Sequence, residues 1–104
     1  MPVVQTITLA PGDDTGWHFH PGRVDVVVLS GMLTRTLHDG RIEVSHAGDS
    51  LVELGGPAYI HVGHNRGTVP VVLVATYEAP EGCPLAVPVT EPEWIRSGAE
   101  RCED

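Results

Sequence analysis

The stretch of sequence that decides the fold is GDDTGWHFHPGRVDVVVLSG, residues 12–31. Within it, His18 and His20 are separated by one residue, and alternate side chains of a β-strand lie on the same face. Two imidazoles placed in this way can share a metal ion. The turn Pro21-Gly22 comes next, and the β-branched run at residues 23–30 then predicts a second strand that ends at a glycine.

The composition limits the class of protein. A chain of 104 residues has room for one domain with a modest core. Its net charge of -8 argues against a nucleic-acid or anionic-membrane partner, and the absence of lysine excludes Schiff-base and P-loop chemistry. With no apolar run of about 18 residues and no signal-like start, we expect a soluble, cytoplasmic protein. Cys83 and Cys102 are then expected to be reduced thiols, the alternative being a disulfide that tethers the tail.

Short extended segments separated by glycine and proline predict an all-β domain. About eight strands are predicted, at the spacing of a sandwich or barrel: residues 3–9, 17–20, 23–30, 32–37, 41–46, 51–54, 59–62 and 69–78. Asp39-Gly40 is the clearest turn, and it is predicted to form a two-residue hairpin of type I′. The nearly continuous apolar run at residues 69–74 predicts a strand covered on both faces.

The composition changes near residue 79. The barrel is predicted to occupy residues 1–78, and residues 79–104 are predicted to form an extended, proline-rich tail of the same domain. Thr90, with Glu93 three residues later, forms a capping-box pattern that predicts one short helix in this tail.

The sequence resembles the cupins, a superfamily of jelly-roll β-barrels with two sequence motifs. The first motif, G-x5-H-x-H-x3,4-E-x6-G, is matched at Gly12, His18, His20 and Gly31. The end of the second, G-x5-P-x-G-x2-H-x3-N, is matched at His61 and Asn65. The resemblance covers about residues 9–78. It implies a divalent metal held inside the barrel by His18, His20 and His61, and a turn stabilised by Asn65.

The sequence also departs from these motifs. Val24 stands where the family places its glutamate ligand. The nearest carboxylate, that of Asp25, points to the opposite face of a regular strand and reaches a metal only through a β-bulge. In the second motif, Gly56 takes the proline position and Ala58 takes the place of the second glycine. These departures weaken the transfer of any activity from the family to this chain.

Tyr59 and Asp25 are the candidate catalytic residues. Tyr59 shares strand parity with His61, so its phenol could project into the barrel and donate a proton; the alternative is ordinary core packing. Asp25 and Glu53 are candidate bases, although charged residues on strand faces are more often solvated. For the three histidines, the alternative to metal binding is a degenerate barrel in which they are only hydrogen-bonded.

Three classes of function follow from the resemblance, because cupins host many unrelated activities. The first is an oxygenase whose three-histidine site binds Fe(II) and takes a small anionic or chelating substrate; Zn, Ni, Cu and Mn remain open as alternative ions. The second is a non-redox metal isomerase, cyclase or lyase, and the third is a non-catalytic metal- or metabolite-binding module. The scarcity of predicted interior acid/base residues favours the first and third. Open sheet edges also predict a homodimer.

Overall fold

The computed structural model describes residues 2–89. The predicted helix at Thr90 and Glu93, and the cysteine Cys102, lie outside the described residues. The strands are β1 (Val3–Leu9), β2 (His18–Phe19), β3 (Val24–Ser30), β4 (Met32–Leu37), β5 (Ile42–His46), β6 (Ser50–Glu53), β7 (His61–His64), β8 (Val71–Tyr77) and β9 (Val87–Pro88), and a 3₁₀ turn covers Pro57–Tyr59. Within residues 2–89, no helix has the length and apolar character needed to cross a membrane.

The strands form two antiparallel sheets, as the all-β prediction requires. The first sheet has the order β1-β8-β3-β6, and the second has the order β5-β4-β7-β2-β9. Neighbouring strands in each sheet are mostly distant in sequence, which is the arrangement of a jelly roll rather than of a simple meander. The predicted jelly-roll fold is therefore confirmed.

The core lies mainly on the inner face of β3 and β8. Val24, Val26 and Val28 alternate inward along β3 and are at most 4% exposed. Along β8 the same alternation buries one face, whereas outward residues such as Val72 and Val74 are only half-buried. The apolar run therefore reflects the central position of β8 between β1 and β3. The expectation that both faces are covered holds fully for one face only, because the other face is half-buried.

The hairpin predicted at Asp39-Gly40 joins β4 to β5. The amide of Leu37 donates to the carbonyl of Arg41, and the amide of Gly40 donates to the carbonyl of Leu37. Three residues are therefore enclosed rather than two, with Gly40 at a φ of 87°. This is the three-residue loop that ends in a left-handed glycine, so the turn is confirmed but its predicted type is not.

Residues beyond β8 return to the second sheet. In the described part of this segment, β9 pairs with β2, with Phe19 opposite Val87 and His18 opposite Pro88. Leu85 packs against the hydrophobic core. The segment thus runs directly beside the strand that carries His18.

Among the described strands, β1 and β6 are the outer members of the first sheet. Val4 on β1 and Val52 on β6 are 61% and 45% exposed, respectively. The predicted homodimer would use such edges, and it stays a prediction.

Asn65 joins the end of β7 to both flanking segments. Its side-chain amide donates to the carbonyl oxygens of Leu9 and Val69 at 2.9 and 2.8 Å, and its Oδ1 accepts from the amide of Gly67 at 2.9 Å. The residue is 2% exposed. The turn-stabilising role expected from the resemblance is therefore confirmed.

Replacing Asn65 by alanine should lower the free energy of unfolding by about 3 kcal/mol, because it leaves several buried backbone groups without partners. Urea denaturation followed by circular dichroism measures this loss. Arg66→Ala, at the exposed neighbouring position, is the control and should change stability by less than about 0.5 kcal/mol. Equal midpoints for the two variants would contradict the structural role given to Asn65.

Candidate metal centre

Three histidines converge at the inner face of the second sheet. His18 on β2 lies opposite His61 on β7, and His20 follows β2 directly. The ring centroids lie 4.8 Å apart for His18 and His20, 4.4 Å for His18 and His61, and 5.1 Å for His20 and His61. One ligand atom from each ring can be chosen so that all three lie within 4.8 Å of one another. The structure thus brings together the three residues predicted as metal ligands.

Each of the three rings is fixed by a backbone carbonyl at its Nδ1 atom. The distances are 2.8 Å from His18 to Gly16, 2.9 Å from His20 to Leu85 and 3.0 Å from His61 to Tyr59. Because a carbonyl oxygen only accepts, each Nδ1 must carry the proton. In the neutral ring, Nε2 then carries the lone pair, which is the arrangement that second-shell carbonyls impose on metal-binding histidines.

The protonation of the cluster suits metal binding. Burial lowers the pKa of His18 to about 4, and the neighbouring His61 lowers it as well. Neutral His18 is therefore the dominant form at neutral pH. In His61, Nε2 is buried and makes no hydrogen bond of acceptable geometry within the described residues. A buried, unpartnered lone pair on one ring and a neutral ring beside it fit a divalent transition metal.

A buried carboxylate lies against this cluster. Glu53, at the end of β6, has a side chain that is 10% exposed. Its Oε1 is 3.0 Å from Nε2 of His20 and 3.2 Å from Nε2 of His61. Burial acts to raise the pKa of Glu53, but hydrogen bonds and positive charge from His20 and His61 in their protonated form outweigh burial and hold the pKa well below its usual range. The expectation of a solvated charge is therefore wrong for Glu53.

Arg35 on β4 holds the second oxygen of this carboxylate. Its Nη1 donates to Oε2 of Glu53 at 3.2 Å, and its Nη2 donates to Oε1 of Glu43 at 2.7 Å. The side chain of Arg35 is 7% exposed. The guanidinium group therefore fixes the plane of the Glu53 carboxylate and leaves Oε1 directed at the histidines.

Tyr77 packs against His20. The two rings meet edge to face, with their centroids 5.7 Å apart, and Tyr77 is 6% exposed. Burial raises the pKa of Tyr77, and the charge of Glu53 raises it as well. The phenol therefore stays protonated and is available as a hydrogen-bond donor.

A cavity of about 60 Å³ opens onto the cluster. The three histidines, Glu53, Arg35 and Tyr77 line its polar part. The apolar part is formed largely by Val24, Val26, Leu73 and Ala75. A single water needs about 10–15 Å³ of such space, so the cavity has room for several waters or a small ligand.

The sequence profile of Cupin_2, described as a cupin domain, matches residues 5–77. The chain is a cupin. No curated protein matches its sequence.

Solved structures support the same fold. The polyketide cyclase RemF from Streptomyces resistomycificus superimposes with a TM-score of 0.71 and 24% identity, over 88% of this chain and 63% of that one. An uncharacterized conserved protein with a double-stranded β-helix domain from Klebsiella pneumoniae gives a TM-score of 0.64 and 25% identity, over 84% and 67% of the two chains. An oxalate oxidase gives 0.62 and 22%, over 72% of this chain and 40% of that one.

Asp25 is not brought to the cluster of this cupin. The regular pairing of β3 places Asp25 opposite Val52 and Thr76, on the face turned away from the cavity. The register shift in β3 occurs between Val28 and Ser30, too far along the strand to redirect it. Its carboxylate instead meets Arg23 at 3.0 Å, with both side chains about half exposed.

Tyr59 contributes its carbonyl rather than its phenol. It ends the 3₁₀ turn and is therefore outside the strand whose parity would have directed it inward. The residue is 38% exposed, and its ring packs against His38 at 5.4 Å. Its backbone carbonyl accepts a hydrogen bond from Nδ1 of His61.

Sequence reasoning missed Arg35 and Tyr77 as site residues. A signal exists for Glu53, because alternation along β6 places it on the same face as Leu51, an apolar residue that packs against the core. Arg35 and Tyr77 carry no comparable signal, since their proximity to the histidines depends on how the two sheets face each other.

Proposed function

We propose that this cupin is a metal-dependent oxygenase that acts on a small anionic or chelating substrate. The observation that carries the proposal is the fixing of all three Nδ1 atoms by carbonyls, which leaves three Nε2 atoms for one ion. Fe(II) is the favoured ion, and Zn, Ni, Cu and Mn are the alternatives. When bound there, Fe(II) supplies redox chemistry toward O2 and a positive charge toward the substrate.

The residues around the cluster have separate roles in this proposal. His18, His20 and His61 hold the ion. Tyr77 donates a hydrogen bond from a phenol that stays protonated, and the valines and Leu73 keep water away from the substrate. The cavity has room for a small substrate beside the metal-binding group.

A second candidate is a non-redox metal isomerase, cyclase or lyase. It is favoured by the finding that Glu53 and Tyr77, two groups able to hold or move protons, line the cavity. Both an oxidase and a polyketide cyclase occur among the structurally similar proteins, and their low identity to this chain leaves the choice open to experiment.

The two candidates differ in what they consume. Protein purified without a histidine tag is analysed for metal, stripped, and reloaded with Fe(II) or Zn(II) without oxygen. With diketones, thiols and catechols as substrates, we expect O2 uptake that requires Fe(II). Conversion without O2 by the zinc form would instead support the second candidate. Stoichiometric metal without any turnover would favour the non-catalytic module.

A further inference from the structure

Glu53 stands directly across the sheet from the position where the cupin glutamate is missing. Val24 and Glu53 are register partners in the antiparallel pair of β3 and β6. Directly opposed residues in such a pair project to the same face, with Cβ atoms about 4.5–5.5 Å apart. Both residues line the cavity. A carboxylate on β6 therefore reaches the space that a glutamate on β3 would occupy.

The two oxygens of the Glu53 carboxylate have different partners. Oε2 accepts a hydrogen bond from Arg35, whereas Oε1 faces the Nε2 atoms of His20 and His61. Arg35 is itself anchored by Glu43 at 2.7 Å. The carboxylate is thus oriented by a fixed cation on one side, so that one oxygen is directed at the metal-binding nitrogens.

The contact between Oε1 and the histidines requires a positive charge. The Nδ1 protons of His20 and His61 already point at the carbonyls of Leu85 and Tyr59. A neutral ring therefore presents a lone pair to the anionic oxygen, which is repulsive in a buried site. A cation bound by both donors removes the repulsion.

The distances suit a shared ion. Two donor atoms that each lie about 2.1 Å from one metal are about 3.0 Å apart at a right angle and about 3.4 Å apart at the tetrahedral angle. The separations of Oε1 from the two Nε2 atoms, 3.0 and 3.2 Å, fall within this range.

We propose that Glu53 is the carboxylate ligand of the metal in this cupin, supplied by β6 in place of the glutamate absent at Val24, with Arg35 as its positioning residue. The inference rests on the proposed function only in requiring a metal at the three histidines. With Glu53 as a ligand, the net positive charge of the centre is lower, because one negative ligand cancels part of the charge that three imidazoles leave on a divalent ion.

The test measures Co(II) binding to the full-length, untagged protein by visible absorption and by competition with a chelator of known affinity. Glu53→Gln keeps the size of the side chain but replaces an anionic donor with a neutral amide. It should weaken Co(II) binding by about tenfold or more, since even residues that only support a ligand produce losses of that size. It should also shift the visible bands of bound Co(II).

Two further variants isolate the cause. Asp25→Asn removes the charge of a half-exposed carboxylate on the face of β3 that is turned away from the cavity, so it should change Co(II) affinity by less than about threefold. The double variant Val24→Glu, Glu53→Val returns the carboxylate to β3 and should bind Co(II) more tightly than Glu53→Val alone. This comparison also covers the case in which Glu53→Gln fails to fold, as shown by circular dichroism.

The outcomes separate this inference from the proposed function. If Glu53→Gln binds Co(II) with wild-type affinity and an unchanged spectrum, Glu53 is not a ligand, although the three-histidine site stands. A double variant that binds no better than Glu53→Val also contradicts the inference. If the wild-type protein binds no Co(II), the proposed metal site itself fails.

Discussion

Replacing His61 by alanine is expected to remove stoichiometric metal from the protein. The loss should be large because His61 is one of the three imidazoles that converge on the site, and its Nε2 lies beside the other two rings and Glu53. His18→Ala should have the same effect. Elemental analysis after purification without a tag measures it, and thermal unfolding shows whether the barrel, whose core lies on β3 and β8, is retained.

His64→Ala is the matched control for these variants. His64 is on the same strand as His61 but does not belong to the cluster, and it is half-buried. It should keep its full metal content, as should Asp25→Ala. Full metal content in both His18→Ala and His61→Ala would show that the ligands have been misassigned.

The second large effect is expected for Gly31→Ala, which should destabilise the fold by about 3 kcal/mol or more. Gly31 lies between β3 and β4 at a φ of 82°, a region that costs an alanine about 1–2 kcal/mol. An added Cβ would also lie 2.4 Å from the carbonyl oxygen of Pro70 and 2.9 Å from the Cα of Val71. Backbone atoms of a central strand cannot move away without disturbing its pairing.

Gly48→Ala separates the conformational cost of a positive φ from the steric cost of the added Cβ. Gly48 has a comparable φ of 96°, but an added Cβ there meets nothing within 4 Å. Its loss of stability should therefore be about 1–2 kcal/mol, which is the conformational cost alone. Chemical denaturation compares the two variants. Equal losses would show that the close approach to Pro70 does not explain why glycine closes the first motif.

Much of the fold could be predicted because local patterns carry it. The bounds of β1 and β4 agree with the prediction, since alternation and flanking turns define them without reference to other strands. The seventh strand was predicted at residues 59–62 but lies at His61–His64, because Pro57 begins a 3₁₀ turn that delays it. The two-residue strand β9 could not be predicted, since it exists only through its pairing with β2.

Part of the site could also be predicted from local patterns. The spacing of His18 and His20, together with the recurrence at His61, is a sequence pattern, and the structure brings these residues together. The carboxylate is different, because the motif places it on the strand that follows His20 and this chain places it on a later one. Only the strand register shows that Val24 and Glu53 lie directly opposite each other. Register depends on how β3 and β6 pair, so neither segment of sequence predicts it alone.

The hydrogen bond from His20 to the carbonyl of Leu85 makes the segment after β8 part of the metal centre's support. Leu85 lies two residues before β9, which is itself only two residues long. An ion that binds His20 favours the ring orientation that this carbonyl fixes, so ligation and docking of the segment are linked equilibria. The two effects must be equal in free energy. If the docked segment strengthens metal binding, metal binding stabilises the docked segment against local opening by the same amount.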